Sequence, residues 1–232
     1  MKIDLNCDMG ELEDSAREAA LMEFITSANI ACGGHAGDEA TMERTARLAL
    51  ERGVRIGAHP GYPDRANFGR VAMTMSAAEI ASCVRKQIER LDAVVRGMGA
   101  AIVHVKPHGA LYNVAARDGA VARAIGEAVA GWNPRTRLVG LAGSGMLEAW
   151  REMGLEAAGE AFADRRYEAD GSLRSRQFPD ALITNPEAAA AQAVRLARQA
   201  GVETICVHGD TPGAVAILKA VRAALEAVAA AG

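Results

Sequence analysis

The segment ERGVRIGAHPGYPD, residues 51–64, contains the pattern that decides the fold of this chain. Gly53 fits just past the end of a helix, and the apolar run Val54–Ala58 that follows it is typical of a strand covered on both faces. His59 comes directly after that run, in a turn rich in glycine and proline. The segment therefore predicts a helix, a buried parallel strand and a polar loop at the carboxyl end of the strand.

The same order recurs along the chain. Short apolar runs predict seven strands, at Ile3–Cys7, Ala28–Cys32, Val54–Ala58, Ile102–Val105, Leu138–Leu141, Glu156–Ala161 and Thr204–Val207. The segments between them have helical periodicity and recognisable starts. These starts are the capping residue Asp38, the Ser76–Glu79 capping box, and the pairs Asn185-Pro186 and Thr211-Pro212, in which a capping residue precedes a proline at the first helical position. The irregular stretch Ala163–Asp180 predicts a long loop over one end of the sheet.

Strands that alternate with helices, without antiparallel hairpin signals, predict a parallel sheet. A closed barrel and an open doubly wound sheet would both satisfy this pattern. No internal repeat or low-complexity linker marks a domain boundary. We therefore expect residues 1–232 to form a single domain of a size that α/β barrels commonly have.

The composition argues against several classes of protein. The formal net charge is -3 and no long basic run occurs, which argues against nucleic-acid binding. No apolar stretch approaches the roughly 18 residues of a membrane span. The N-terminal residues turn acidic where a signal peptide needs an apolar stretch, so we expect a cytoplasmic protein. The four cysteines form no CxxC pair and are interpreted as small buried thiols.

Polar side chains follow the predicted strands at their carboxyl ends, where parallel α/β folds build their active sites. Four of the five histidines lie in such positions. The fifth, His104, alternates with Val103 and Val105 inside a strand and is interpreted as a structural residue. The candidate site residues at the strand ends are Asn6, Asp8, His35, His59, Lys106, His108, Glu160, Asp164, Arg165, His208 and Asp210.

Glycines flank the histidines in these loops, as Gly61 follows His59 and Gly109 follows His108. They permit backbone conformations that a side chain would obstruct, and they let a ligand approach the main chain. Ordinary turns also contain glycine, so one such loop does not indicate a functional site. The indication comes from the recurrence of glycine beside a histidine in several loops. Neither GxGxxG nor GxxxxGK[ST] is present, so ATP would have to bind this chain by another arrangement.

Seven motifs together resemble those of the LamB/YcsF family, and they follow in order along nearly the whole chain. They are DLNCDMGE at 4–11, SANIACGGHAGD at 27–38, GAHPGYPD at 57–64, FGR at 68–70, VKPHGALYN at 105–113, EAFADRRY at 160–167 and CVHGD at 206–210. The resemblance implies a distorted (β/α) TIM-like barrel related to polysaccharide deacetylases and some glycoside hydrolases. It also implies a 5-oxoprolinase that works with two partner subunits, B and C. Together these subunits cleave 5-oxo-L-proline to L-glutamate while ATP is hydrolysed to ADP and phosphate.

Hydrolysis of a lactam needs activation, because amide resonance makes the carbonyl a poor electrophile and the nitrogen a poor leaving group. Phosphorylation of the amide oxygen by ATP, with Mg²⁺ as its usual companion, would produce an imidate that water can attack. We expect Lys106, Arg165 and Arg176 to neutralise phosphate oxygens or the substrate carboxylate. Asn6 and Asp210 are further candidates for substrate or phosphate binding.

The acid–base roles fall to the carboxylates and imidazoles. Asp8 with His35 or His59 would activate water, since a carboxylate that orients an imidazole gives a base near neutral pH. His108 or His208 would protonate the departing nitrogen. Two further candidates, Glu160 and Asp164, would act as acid or base or would orient Arg165.

Two alternatives remain open. The first is a stand-alone metal-dependent amide hydrolase or deacetylase, in which Asp8, His35, His59 and His208 ligate a divalent ion. Their spacing matches no compact metal motif, so the sequence neither supports nor excludes a bound metal. The second alternative is a non-catalytic protein that binds a small acid, which has less need of several histidines and carboxylates in one site.

Overall fold

The chain forms a closed barrel of seven parallel strands surrounded by helices, in a computed structural model that describes residues 3–230. The strands are β1 (Asp4–Met9), β2 (Ser27–Ala31), β3 (Arg55–His59), β4 (His104–Val105), β5 (Arg137–Leu141), β6 (Ala157–Phe162) and β7 (Thr204–Cys206). They lie around the barrel in sequence order, and β7 pairs with β1 through Asp4 and Thr204. This pairing rules out the open sheet, and the predicted TIM-like barrel is confirmed.

Each predicted strand is present, with boundaries that shift by one or two residues at several ends. The helices within residues 3–230 are α1 (Ser15–Met22), α2 (Glu39–Glu51), α3 (Ala77–Gly97), α4 (Gly109–Ala115), α5 (Gly119–Trp132), α6 (Gly145–Glu152), α7 (Pro186–Ala197) and α8 (Ala214–Ala230). None of them combines the length and the apolar character that crossing a bilayer requires.

Most of the predicted helix starts are confirmed. Asp38 accepts a hydrogen bond from the Thr41 amide at 2.8 Å, and the Ser76–Glu79 capping box starts α3. Asn185 caps α7, with Pro186 in its first turn. The predicted start at Thr211-Pro212 is wrong, since α8 begins at Ala214. The Thr211 hydroxyl is not a cap there because it donates to Asp164 at 2.6 Å.

The hydrophobic core lies between the strands and the surrounding helices. The inner faces of α3 and α5 contribute Ile88, Leu91 and Ile125, which are fully buried. Trp150 on α6 is also fully buried, and its indole nitrogen donates to the Ala122 carbonyl of α5 at 2.8 Å. Burial of this amphipathic set of helices against parallel strands is the main stabilising contribution to the barrel.

The inside of the barrel is polar, unlike the layers of branched apolar side chains common in such folds. Asn6 of β1 donates to Glu160 of β6 at 2.9 Å and to Thr204 of β7 at 2.7 Å. Asn29 of β2 donates to Asn6, and its side-chain oxygen contacts Nε2 of His104 at 2.7 Å. Asn6, Asn29 and His104 therefore have partners, as low-dielectric surroundings require, whereas Glu160 Oε2 has no hydrogen-bond partner among residues 3–230.

His104 has the structural role that its position within β4 predicted. Its ring is buried beside Gly57 of β3, where an added Cβ would lie 2.0 Å from Nε2. Glycine is therefore required at 57 by the histidine that packs on it. Burial lowers the pKa of His104 to about 4, so this imidazole stays neutral at physiological pH.

The predicted long loop is confirmed, because residues 163–185 contain no helix and only two isolated bridges, Arg165 with Leu182 and Tyr167 with Leu173. The loop folds over the carboxyl end of the barrel. The cysteines are free thiols, and all but Cys83 are buried, in line with their interpretation as small buried side chains.

Candidate active site

A cavity of about 600 Å³ opens at the carboxyl ends of the strands. Eight of the residues predicted for the site line it: Asp8, His59, Lys106, His108, Arg165, Arg176, His208 and Asp210. The other four predicted residues, Asn6, His35, Glu160 and Asp164, lie behind this wall, where they contact the lining residues or their neighbours. The strand ends therefore bring the predicted set together, as the barrel topology requires.

The floor of the cavity is formed by Glu11, His59 and His108, and His35 lies directly behind them; these four side chains, one carboxylate and three imidazoles, make up the floor cluster. One ligand-type atom of each lies within 4.8 Å of the corresponding atoms of the others. The residues come from four neighbouring units of the barrel: Glu11 follows β1, His35 follows β2, His59 ends β3 and His108 precedes α4. Glu11 Oε1 contacts His35 Nε2 at 2.8 Å and His108 Nδ1 at 3.2 Å.

Backbone carbonyls fix the tautomers of two of these imidazoles. His59 Nδ1 lies 2.7 Å from the Lys106 carbonyl, and His108 Nε2 lies 2.9 Å from the Phe68 carbonyl. A carbonyl oxygen only accepts, so both of these nitrogens carry a proton. The two remaining nitrogens, His59 Nε2 and His108 Nδ1, face each other at 2.9 Å.

The loop that holds His108 is strained. Phe68 is the one non-glycine residue with a positive φ, 55°, within residues 3–230, and its carbonyl is the group that orients His108. The next residue, Gly69, packs so closely that an added Cβ would lie 2.7 Å from the Cβ of His35. Backbone strain of this kind persists where the surroundings hold it, most often at functional sites.

The electrostatics of the cluster favour a positive charge between the rings. Burial alone would lower the pKa of His59, but the charges of Asp8 and Glu11 outweigh it and raise that pKa above 6.5. Burial would raise the pKa of Glu11, but the neighbouring imidazoles hold it far below its usual range. His35, stacked on His108 with centroids 3.5 Å apart, has its pKa lowered to about 4 by burial.

Lys106 lies beside the cluster, and its ammonium group contacts the carboxylates of Asp8 and Glu160. Its Nζ is 2.9 Å from Asp8 Oδ1 and 2.9 Å from Glu160 Oε1. Burial alone would lower the pKa of Lys106, but these charges, Asp8 first, hold it well above its usual range. The expected role of Lys106 in binding phosphate is therefore not favoured, because its charge is already used to hold two buried carboxylates.

Asp164 orients His208 instead of Arg165. Its carboxylate lies 3.1 Å from His208 Nδ1 and 3.0 Å from the His208 amide, and the Thr211 hydroxyl donates to it. Burial would raise the pKa of Asp164, but His208 outweighs that effect and lowers it. With Nδ1 on the carboxylate, His208 presents Nε2 as its free nitrogen, and the ring lines the cavity.

Arginines form the rim of the cavity on the side of the long loop. Arg70 and Arg176 both pair with Asp210, Arg176 at 3.0 Å. Arg165 is buried, donates to the Arg174 carbonyl at 2.6 Å, and has an Nε without a hydrogen-bond partner among residues 3–230. Burial and the charge of Arg176 lower the pKa of Arg165 to about 10. This rim can bind a carboxylate or a phosphate.

Glu11 contacts each imidazole of the floor cluster but is not among the residues predicted from the sequence. The signal was present, since Glu11 follows β1 within the DLNCDMGE motif. The predicted strand ended at Cys7, whereas β1 continues to Met9, so the loop after it begins two residues later than predicted. Arg70 was missed also, although it lies in the FGR motif at the cavity wall.

Groups that can ligate a metal fall into two sets within residues 3–230. One is the floor cluster, and the other consists of Asp8, Cys206 and His208. The set suggested by the sequence, with Asp8, His35, His59 and His208 on one ion, is therefore divided between two places. Chemically, the cavity combines a carboxylate–imidazole floor for proton transfer, a carboxylate-oriented histidine in the wall and a cationic rim.

Comparison with known proteins agrees with the motifs. The A subunit of 5-oxoprolinase from Chloroflexus aggregans is 51% identical over 98% of this chain and 96% of its own length. The crystal structure of a lactam utilization protein from Thermus thermophilus superposes with a TM-score of 0.89 at 40% identity, and the match covers 99% and 98% of the two chains. The catalytic domain of a peptidoglycan N-acetylglucosamine deacetylase from Eubacterium rectale, 11% identical with a TM-score of 0.52 over 97% and 84%, shares the fold alone. The sequence model of the LamB/YcsF family matches residues 3–231, and the chain therefore belongs to the LamB/YcsF family.

Proposed function

We propose that this chain is the A subunit of an ATP-dependent 5-oxoprolinase and carries its hydrolytic site in one catalytic domain, residues 1–232. With partner subunits B and C it opens the lactam of 5-oxo-L-proline to give L-glutamate, while ATP becomes ADP and phosphate. The reaction takes place in the cytoplasm, where ATP is available. The observation that carries the proposal is the single cavity that joins a carboxylate–imidazole floor to a buried arginine, in a chain 51% identical to the A subunit of a 5-oxoprolinase.

The substrate is small and carries one carboxylate beside the lactam. Arg165 can bind that carboxylate, since its side chain lines the cavity and no carboxylate among residues 3–230 forms an ion pair with it. The lactam carbonyl then points toward the floor, near His59 and His108. Arg70 and Arg176, held by Asp210, add positive charge where a phosphoryl group would enter.

The reaction has an activation stage and a hydrolysis stage. The lactam oxygen attacks the γ-phosphorus of Mg²⁺-bound ATP, which forms an O–P bond and releases ADP. Water adds to the activated carbon, and the C–N bond breaks as the nitrogen takes up a proton. The resulting acyl phosphate is hydrolysed by a second water, which releases phosphate and leaves glutamate.

Residues of the cavity floor act on the attacking water, and His208 in the cavity wall acts on the departing nitrogen. Glu11 accepts the proton of the attacking water, and His59, held by the Lys106 carbonyl, contacts and orients that carboxylate. His208, oriented by Asp164, donates the proton to the departing nitrogen. Lys106 positions Asp8, because its ammonium group stays paired with that carboxylate.

A second candidate function is a stand-alone metal-dependent amide hydrolase or deacetylase. The floor cluster favours it, because three imidazoles and a carboxylate within 4.8 Å of one another are groups that a transition metal uses as ligands. This candidate requires turnover by the chain alone, without ATP.

The experiment combines the purified chain with subunits B and C and follows glutamate and ADP produced from 5-oxoproline and ATP, with each subunit omitted in turn. We expect glutamate only when all three are present, with one ADP released for each glutamate. An inactive complete mixture, together with amide or acetyl hydrolysis by this chain alone, would overturn the proposal in favour of the second candidate.

The role of Arg165 is tested in the same mixture. Arg165→Ala is expected to raise KM for 5-oxoproline and to lower kcat/KM by about 10–100-fold, since a hydrogen bond to a charged group contributes about 1.5–3 kcal/mol. The matched control is Arg123→Ala, which removes an exposed arginine paired with Glu152. Equal KM values in the two variants would show that the carboxylate binds elsewhere.

A further inference from the structure

We propose that Glu11, His59 and His108 form a binding site for one divalent transition-metal ion such as Zn²⁺, with the negative charge of Asp8 beside it. The inference concerns ion binding by this chain itself and does not rest on the proposed reaction. Three features of the floor cluster carry it: the direction of the ring nitrogens, the spacing of the donor atoms and the surplus of carboxylates.

The ring nitrogens require a cation between them. His59 Nδ1 and His108 Nε2 are both protonated, because each donates to a backbone carbonyl, those of Lys106 and Phe68. In the neutral rings, the other two nitrogens carry only lone pairs, yet they lie 2.9 Å apart. Two lone pairs repel at this distance unless a proton or a metal ion lies between them. The carbonyl contacts also match the arrangement by which proteins orient metal-binding histidines.

The donor atoms have the spacing of a small coordination sphere. Tetrahedral bonds of about 2.0–2.1 Å place neighbouring donors about 3.3 Å apart. Glu11 Oε1 is 3.2 Å from His108 Nδ1 and 3.7 Å from His59 Nε2, while Asp8 Oδ2 is 3.4 Å from His59 Nε2. These separations are close to the expected value, whereas His59 Nε2 and His108 Nδ1 are closer together, at 2.9 Å. An ion can therefore bind once these two rings move apart slightly.

The surrounding charges favour a divalent ion over a proton. The carboxylates of Asp8 and Glu160 share one buried ammonium group, that of Lys106, while the Glu11 carboxylate is buried among the imidazoles with no ammonium or guanidinium group paired to it among residues 3–230. Buried carboxylates without full compensation are costly, and a doubly charged ion between them removes that cost. Imidazole nitrogen combined with carboxylate oxygen is a donor set that suits zinc, iron or nickel.

His35 is a positioning residue and not a ligand in this site. Its ring is stacked parallel to His108, at an interplanar angle of 3°, so both rings cannot direct a lone pair at the same ion. Its Nε2 instead contacts Glu11 Oε1 at 2.8 Å and holds that carboxylate toward the other two histidines.

The second set of ligand-type groups is less suited to an ion. Cys206 Sγ lies 3.2 Å from the Lys106 ammonium group, and Asp8 Oδ1 lies 2.9 Å from it. An ion bound there would lie against a positive charge. We therefore assign the ion to the floor cluster.

The test uses the full chain without a histidine tag, stripped with a chelator and then titrated with Co²⁺, whose visible absorption reports nitrogen and oxygen ligation. We expect one ion per chain. His108→Asn and Glu11→Gln should each weaken binding more than about 100-fold, since even outer-shell partners contribute about 10–100-fold. His35→Asn should weaken it by about 10–100-fold. Zn²⁺ should raise the Tm of the stripped wild type but not of His108→Asn.

Matched controls make each outcome decisive. His208→Asn and Glu43→Gln, the latter on the exposed face of α2, should bind Co²⁺ as the wild type does. Circular dichroism of the metal-free variants confirms that each is folded. The proposal is overturned if the folded wild type binds no ion, or if His208→Asn abolishes binding while His108→Asn retains it. Because the readout is ion binding, either result is independent of 5-oxoproline turnover.

Discussion

His59 and His108 present their ring nitrogens to each other at 2.9 Å, and a backbone carbonyl fixes the opposite nitrogen of each ring. This relationship joins the two loops after β3 and β4, and it determines where a proton or a cation can lie in the cavity. Glu11 completes the group from the loop after β1, so the floor depends on the pairing of β1 to β4 in sequence order as much as on any single loop.

Gly57→Ala is predicted to destabilise the protein by about 1–3 kcal/mol, because overpacking a filled interior forces side chains and backbone apart. The added Cβ would lie 2.0 Å from His104 Nε2. Urea denaturation measures the change. Gly97→Ala, at the end of α3 with nothing within 4 Å of its added Cβ, is the control and should be neutral or stabilising. Equal stability of the two variants would contradict the packing of His104 on Gly57.

Lys106→Met is predicted to destabilise the protein by about 3–5 kcal/mol at neutral pH, because it leaves Asp8 and Glu160 buried without their shared counter-ion. Lys219→Met removes an exposed lysine of α8 and should change stability by less than about 0.5 kcal/mol. Urea unfolding of the two variants makes the comparison. A loss below about 1 kcal/mol for Lys106→Met would show that the two carboxylates do not need the ammonium group.

Stability is predicted to fall as the pH drops, in part through His104. Its folded pKa is about 4 against an ordinary value of 6.5, so the unfolded chain binds more protons between these values. The free energy of unfolding should therefore decrease as pH falls from about 6.5 to 4, by up to about 3 kcal/mol from this residue. Urea unfolding across this range, with chelator present, should show a shallower slope for His104→Gln. An unchanged slope would mean that His104 does not titrate differently in the two states.

Asp164→Asn is predicted to lower kcat about 10²-fold or more while KM for 5-oxoproline changes little, because His208 loses the carboxylate that fixes its tautomer. A shift in the pH dependence of kcat should accompany the loss, which a purely structural role would not produce. Thr211→Val is the control, since it removes one donor to Asp164 but leaves the carboxylate on His208. A similar loss of kcat in both variants would point to folding and not to proton transfer.

Much of the fold follows from local sequence signals. Apolar runs bounded by capping residues predict each strand, and Asp38, Ser76 and Asn185 start helices as expected. Closure of the sheet into a barrel does not follow from such local signals, because the pairing of Asp4 with Thr204 joins residues far apart in the sequence. No local pattern distinguishes that pairing from an open edge.

The sequence predicts which residues belong to the candidate site better than it predicts what each of them does there. Polar residues after apolar runs must meet at one end of a parallel barrel, and eight of those named line the cavity. Their roles depend on which neighbour each contacts across the barrel. Lys106 has the sequence context of an anion-binding residue but holds Asp8 and Glu160, and Asp164 orients His208. Glu11 was missed because β1 extends to Met9.

The most direct test of the central claim compares Glu11→Gln with Glu43→Gln, each combined with subunits B and C, for glutamate formed from 5-oxoproline and ATP. Both changes remove one negative charge, but Glu11 contacts three imidazoles at the cavity floor, whereas Glu43 is exposed and paired with Arg47. We expect a loss of at least about 10²-fold in kcat for Glu11→Gln and wild-type turnover for Glu43→Gln. Wild-type turnover by a folded Glu11→Gln variant would contradict this expectation.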